Sequence, residues 1–155
     1  MYKTSVYADT SVYGDVVDDE FSEESQAFFE QVKGGSFQLF VSPVIEEELR
    51  YAPEVVRSYY REMAALAEKI ETMDEAFHLQ EAYLGANIVG EKSANDALHV
   101  AYATVCRCSL LVSWNFKHIV HFDKIALYNA INVVKGYAEI RIHSPAEVIE
   151  YEEEI

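Results

Sequence analysis

Four separated stretches carry residues that could do chemistry together. Asp9 closes the β-favouring run Val6-Tyr7-Ala8 and drops at once into Thr10-Ser11. Glu46, Glu47 and Glu48 follow Ser42-Pro43, Asp96 stands three residues after Ser93, and Asn115 stands two after Ser113. Carboxylate and amide oxygens are hard donors, and several carboxylates in one crevice repel one another unless a cation fills it. Such a set with open positions suits Mg²⁺ or Mn²⁺. Each residue also has a plainer use. Asp9 can cap a turn with Thr10, Ser93 to Asp96 reads as a capping box, Glu46 to Glu48 suit a helix N-terminus, and Asn115 suits a turn. Only their convergence in space distinguishes a site from four local devices.

The elements that must bring them together follow from hydrophobic spacing. A first strand ends at Asp9, and a polar, acidic loop follows from Gly14 to Ser22. A helix runs from Ser22 to Lys33, ended by Gly34-Gly35, and Phe37 to Val41 reads as a second strand. Ser42-Pro43 opens the next helix, with a hydroxyl at the cap and proline at the first helical position. Glu54 to Ile70 is predicted to be one long helix with Val55, Tyr59, Ala65, Leu66 and Ile70 inward, and Asp74 to Ala86 another. Ser93 caps a helix from Ala94 to about Cys106, whose row Ala97, Leu98, Ala101, Tyr102 and Val105 has helical spacing. Leu110 to Ser113 is a strand, His121 to Asn132 a helix, and Ile140 to Ile142 a last strand before a helical turn at Ser144-Pro145. Strands alternating with helices predict an α/β three-layer sandwich around a central parallel sheet, with an all-helical insertion between Pro53 and Gly90. In such a sheet, strand C-termini and the N-termini of the following helices share one edge. The four stretches are therefore predicted to meet there.

The bulk properties set bounds. A chain of 155 residues, half of them hydrophobic, suits a single domain over 1–155 with a full core. No apolar run approaches the ~20 residues that span a bilayer, and the N-terminus shows no secretory pattern. Cys106 and Cys108 are too close for an easy bridge, which points to a reducing, cytoplasmic setting. The net charge of −15 would repel a polyanion at long range. Any nucleic-acid contact would have to use local cations: Arg50, Arg57 and Arg61, or Lys92, Lys117 and Lys124. Those same residues could equally be surface cations paired with the many acids. His118 and His121, three apart, lack a third convergent ligand for zinc. His99 shares a helix side with Asp96 and could support it, although packing is its plainer use.

Four ordered motifs carry a resemblance. Val6-Tyr-Ala-Asp9-Thr-Ser-Val-Tyr, Val41-Ser-Pro-Val-Ile-Glu-Glu-Glu48-Leu, Asn95-Asp96-Ala-Leu-His-Val-Ala-Tyr-Ala103 and Leu111-Val-Ser-Trp-Asn115-Phe-Lys-His-Ile resemble those of PIN-domain proteins, whose best-known members are VapC-type toxins. The resemblance spans nearly the whole chain. It implies a Mg²⁺- or Mn²⁺-dependent ribonuclease acting on single-stranded RNA, with Asp9, Glu48 and Asp96 as metal-holding acids. It also implies a homodimer and a small antitoxin partner, with the Pro53 to Ala86 insertion as a place for either contact. Glu48 is chosen because the family pattern has Glu-Leu six residues after the strand-end serine, here Ser42. The family's fourth acid falls on Asn115, which keeps a carbonyl oxygen but removes one charge, so a second ion would bind more weakly. Thr10 and Ser113 carry hydroxyls that could orient a carboxylate or the scissile phosphate. Two rivals stand beside this: a PIN-like domain that binds RNA or a protein without cutting, and a phosphoacceptor receiver domain. The second rival lacks an Asp where the second strand ends in Ser42-Pro43.

Overall fold

The structure, a computed structural model, describes residues 3–151; the acidic run Glu152 to Glu154 lies outside them. Five strands form one parallel sheet: β1 (Thr4–Ala8), β2 (Phe37–Val41), β3 (Glu68–Lys69), β4 (Leu110–Val112) and β5 (Arg141–His143), in spatial order β3-β2-β1-β4-β5. Eight helices connect and cover them: α1 (Thr10–Gly14), α2 (Ser22–Lys33), α3 (Pro43–Leu49), α4 (Glu54–Ala64), α5 (Asp74–Gly85), α6 (Ala94–Val105), α7 (Phe122–Val134) and α8 (Pro145–Val148). The α/β architecture predicted from the alternation is the one observed.

β1 is the middle strand, and its composition explains why. Val6, Tyr7 and Ala8 are consecutive and all fully buried, the continuous apolar run of a strand covered on both faces. It pairs Thr4 with Phe37 on one side and Val6 with Leu110 on the other. The ladder continues one residue past the strand, since the Asp9 N–H donates to the Val112 carbonyl at 3.1 Å. The C-terminal ends of β1, β2 and β4 therefore lie side by side. α6 supplies the most thoroughly buried helix, with every residue from Ala97 to Thr104 inside.

Three expectations need correction. The helix expected through Ile70 stops at Ala64, and Glu68-Lys69 forms an edge strand beside β2, with the Ile70 N–H donating to the Val41 carbonyl at 2.8 Å. The insertion is thus not all-helical: sheet pairing overrides the helix propensity of these residues. The inward face of α4 is also different, with Val56, Tyr60, Met63 and Ala64 buried while Val55 and Leu66 face solvent. The stretch after Asp9 is no simple loop either. α1 and a 3₁₀ turn at Asp15–Val17 bury Val12, Tyr13 and Val16. At the other end, the expected helical start at Ser144-Pro145 is a reciprocal capping box between Ser144 and Glu147.

Candidate functional site

Asp9 both caps α1 and reaches across the sheet edge. Its Oδ1 accepts from the Ser11 N–H at 3.1 Å and the Ser11 hydroxyl at 2.6 Å. Its Oδ2 accepts from the fully buried Ser113 hydroxyl at 2.7 Å. The Ser11 and Ser113 oxygens in turn accept from the Trp114 and Asn115 N–H groups, both at 2.9 Å. The plainer use of Asp9 as a cap is therefore real but accounts for one of its two oxygens. Only 3% of Asp9 is exposed. Burial pushes its carboxyl above the usual range, and the Asp96 charge adds to this, against the opposing pull of His99, Ser11 and Ser113.

Glu48 lies on the same edge from α3. Its Oε1 accepts from the Thr10 hydroxyl at 2.7 Å and stands 2.5 Å from His99 Nε2. His99, 1% exposed on α6, has its Nδ1 2.6 Å from the Tyr7 hydroxyl, which lies 2.6 Å from the Ser42 hydroxyl. Burial holds the Tyr7 phenol well above its ordinary value, so it keeps its proton. A phenol donating to Nδ1 leaves the ring hydrogen on Nε2, which donates to Glu48. Five elements or their junctions (β1, the end of β2, α1, α3 and α6) are joined by this one chain. Burial alone would raise Glu48, but the His99 hydrogen bond and charge, with Thr10 and Asn95, outweigh it and hold the carboxyl below the usual range.

Asp96 sits in the first turn of α6, and Ser93 makes no side-chain cap there. The capping-box reading therefore fails, and Asp96 faces the rim instead. Burial raises its carboxyl and the Glu48 charge adds to that, while His99, His118 and the Asn115 amide pull the other way. Asn115 spends its carbonyl oxygen on the His118 N–H at 2.9 Å, a turn bond, and so presents its amide hydrogens to Asp96. It serves the rim as a donor rather than as a replacement oxygen. Three rim neighbours carry more weight than the sequence reading gave them. His99 had a signal in its three-residue spacing from Asp96. His118 had none; its Nδ1 is buried with no hydrogen-bond partner among the described residues. Asp15 is pushed up to about 6 by partial burial and by the charges of Asp18, Asp9 and Glu20.

Among the described residues, no three His, Cys, Asp or Glu side chains enclose a common point as a cation cage. The donor chemistry nonetheless suits a hard divalent ion. Asp9 and Asp96 are carboxyls raised by burial and by a neighbouring like charge, a condition that a cation relieves. Glu48 is already committed to His99. No helix among these residues is long and apolar enough to cross a membrane.

Neither protein-family models nor curated proteins give a match to this sequence. Among solved structures, the chain is similar to one in the crystal structure of VapBC2 from Rickettsia felis bound to a DNA fragment from its promoter. That likeness has a TM-score of 0.57 at 14% identity, over 90% of this chain and 98% of the other. At that identity the likeness speaks for the fold alone: a PIN-like parallel α/β sandwich, as the four motifs led one to expect.

Proposed function

We propose that this chain is a Mg²⁺- or Mn²⁺-dependent endoribonuclease acting on single-stranded RNA, in the role of the toxin of a toxin–antitoxin pair. One observation carries the reading. Asp9, Glu48 and Asp96 come from three distant segments and gather at the carboxyl edge of the sheet, close enough for Asp96 to be coupled to both of the other charges. When bound, the ion supplies an acidified water and compensates charge at the scissile phosphate. The chain's own residues do the positioning. Ser11 and Ser113 fix both oxygens of Asp9. Thr10 and His99 fix one oxygen of Glu48. The Asn115 amide favours the ionised form of Asp96. No serine or cysteine nucleophile is called for.

Asp9→Asn removes the charge; its one carbonyl oxygen can still accept from Ser11, while its amide nitrogen can only donate toward Ser113, so Mn²⁺-dependent cleavage of single-stranded RNA falls about 100-fold or more. Unchanged cleavage ends this reading. The second reading, binding without cutting, is favoured by Asn115, whose carbonyl is spent on a turn. Under it, wild type binds RNA and releases no product at any Mn²⁺ concentration.

The partners follow from charge and surface. An antitoxin segment that covers this rim must be basic, given the net charge of −15. For a second copy of the chain, α7 offers a face. It buries Tyr128 and Asn132 yet exposes Phe122, Leu127, Val133 and Val134. A two-fold antiparallel pairing of α7 with itself would bring Asp123 of one copy near Lys135 of the other. Sedimentation should show a dimer that Leu127→Glu splits; a wild type that is monomeric at every concentration removes the dimer from the proposal.

A further inference from the structure

A cavity of about 530 Å³ lies between α3 and α4, inside the range of roughly 300–1,000 Å³ typical of small-molecule pockets. It gathers Arg50, Arg57 and Arg61 beside Glu46 and Glu47. Those arginines are three of only 12 Lys and Arg on a chain of net charge −15, so here the local balance departs from the rest of the surface. Arg57 and Arg61 bond Glu54 at 2.8 and 2.6 Å, but capacity is left over. Arg57 Nε is buried with no acceptor among the described residues. Arg50 makes no ion pair among the described residues. On the acidic side, Glu46 accepts from the Tyr60 hydroxyl at 3.2 Å, while Glu47 is exposed. Pro43 and Leu49 add an apolar edge.

A bare phosphate would use the guanidiniums but be repelled by the two carboxylates. A ligand that uses both must present an anionic group and, a few ångströms away, N–H donors for a carboxylate. Nucleotides have that form. Among the four RNA bases, guanine alone sets two N–H donors side by side on its Watson–Crick edge, N1–H and N2–H, where one carboxylate can accept both. We infer that this cavity is a guanosine-nucleotide subsite, in which Glu47 accepts from the base edge while Arg50 and Arg57 hold the adjoining phosphate. The inference rests on the RNA-cleaving reading above and adds a base preference to it. Glu47 and Glu48 are consecutive on α3 and diverge by about 100° around the helix. A base seated on Glu47 would therefore belong to a strand that continues round α3 to the acidic rim.

The test is equilibrium binding of GMP, AMP, CMP and UMP in EDTA, which removes cleavage from the measurement. GMP binds on the order of tenfold more tightly than the others. Glu47→Gln abolishes that preference, and Arg57→Ala weakens all four alike. Both substitutions replace partly or fully exposed side chains, and unchanged circular dichroism confirms the fold. Equal binding of the four nucleotides, no binding, or a preference that survives Glu47→Gln overturns the inference. The parent reading fails separately. RNA cut without guanine preference leaves the nuclease standing and overturns the subsite. GMP selected by a protein that cuts nothing supports the subsite and removes the nuclease.

Discussion

Asp9 and Glu48 belong to the same rim and both accept a short bond from a hydroxyl, yet their carboxyls are pushed in opposite directions. Asp9 is hydrogen-bonded only by hydroxyls and a backbone N–H, and these together with the His99 charge, which does not bond it directly, offset only part of its burial. Glu48 is met by Thr10 and by an imidazole, and that pair outweighs burial. The difference is one of partner, not of depth alone. Asp9 has no ring N–H among its donors, whereas Glu48 has the Nε2–H of His99, held in place by Tyr7. The rim is thus half settled and half unsettled. Glu48 is stabilised as an anion, whereas Asp9 and Asp96 are raised by burial.

His99→Leu is the hardest blow to this contrast. It strips Glu48 of the partner that wins against burial, and its carboxyl should move above the usual range. Tyr7 keeps Ser42, so the expected loss is about 2–3 kcal/mol in urea unfolding. His99→Gln, which can still donate an N–H, should recover part of it. A loss within error for His99→Leu would mean the imidazole contributes nothing to Glu48.

The two acids themselves should respond with opposite signs. A carboxyl lowered by folding, as at Glu48, stabilises above its unfolded pKa, and that contribution disappears as pH falls through the folded value. Glu48→Gln should therefore cost about 1–2 kcal/mol at pH 7 and little near pH 3. A carboxyl raised by folding, as at Asp9, contributes below its unfolded pKa and loses that contribution as pH rises through the folded value. Asp9→Asn should then be more stable than wild type at pH 7 by about 0.5–2 kcal/mol, with the gain vanishing in acid. Melting curves of the two variants across pH decide this. Shifts of the same sign would erase the contrast.

How much of this was legible beforehand depended on the range of the forces involved. The parallel sheet and its acidic edge could be read because Val6-Tyr7-Ala8 and Leu110 to Val112 are buried apolar runs, and the α/β rule then places their C-termini together. Thr10 and Ser113 were named for the role of orienting a carboxylate, and each bonds one. β3 was not legible: two charged residues, Glu68 and Lys69, carry no strand signal, and their pairing with β2 exists only in the folded chain. The α4 face was read one residue out of phase because both Val55-Val56 and Tyr59-Tyr60 are apolar doublets, so spacing alone could not choose. α7 is a helix as expected, though Phe122, Leu127, Val133 and Val134 face out while its fully buried positions hold Tyr128 and Asn132. The Asn115 amide orientation was out of reach, since it depends on the turn bond to His118.

Asp15 offers the smallest effect and the sharpest control, because it is the Asp9 case with less burial. Its carboxyl is pushed up to about 6 by partial burial first, then by Asp18, Asp9 and Glu20. The unfolded value is about 3.9. Folding therefore favours the protonated form: the contribution is complete below about pH 4 and is lost as pH rises through about 6. Asp15→Asn should stabilise the protein by about 0.5 kcal/mol at pH 7.5, a figure reduced for the solvent screening of a half-exposed group. The gain should shrink to nothing by about pH 4. A gain that did not change with pH would have to come from the backbone turn at the end of α1, and the charge argument would fail at this position. A gain that follows pH, with Asp9→Asn showing a larger one over the same range, would mean that one principle sets both acids: burial, reinforced by neighbouring carboxylates, outweighs what opposes it at this end of the rim.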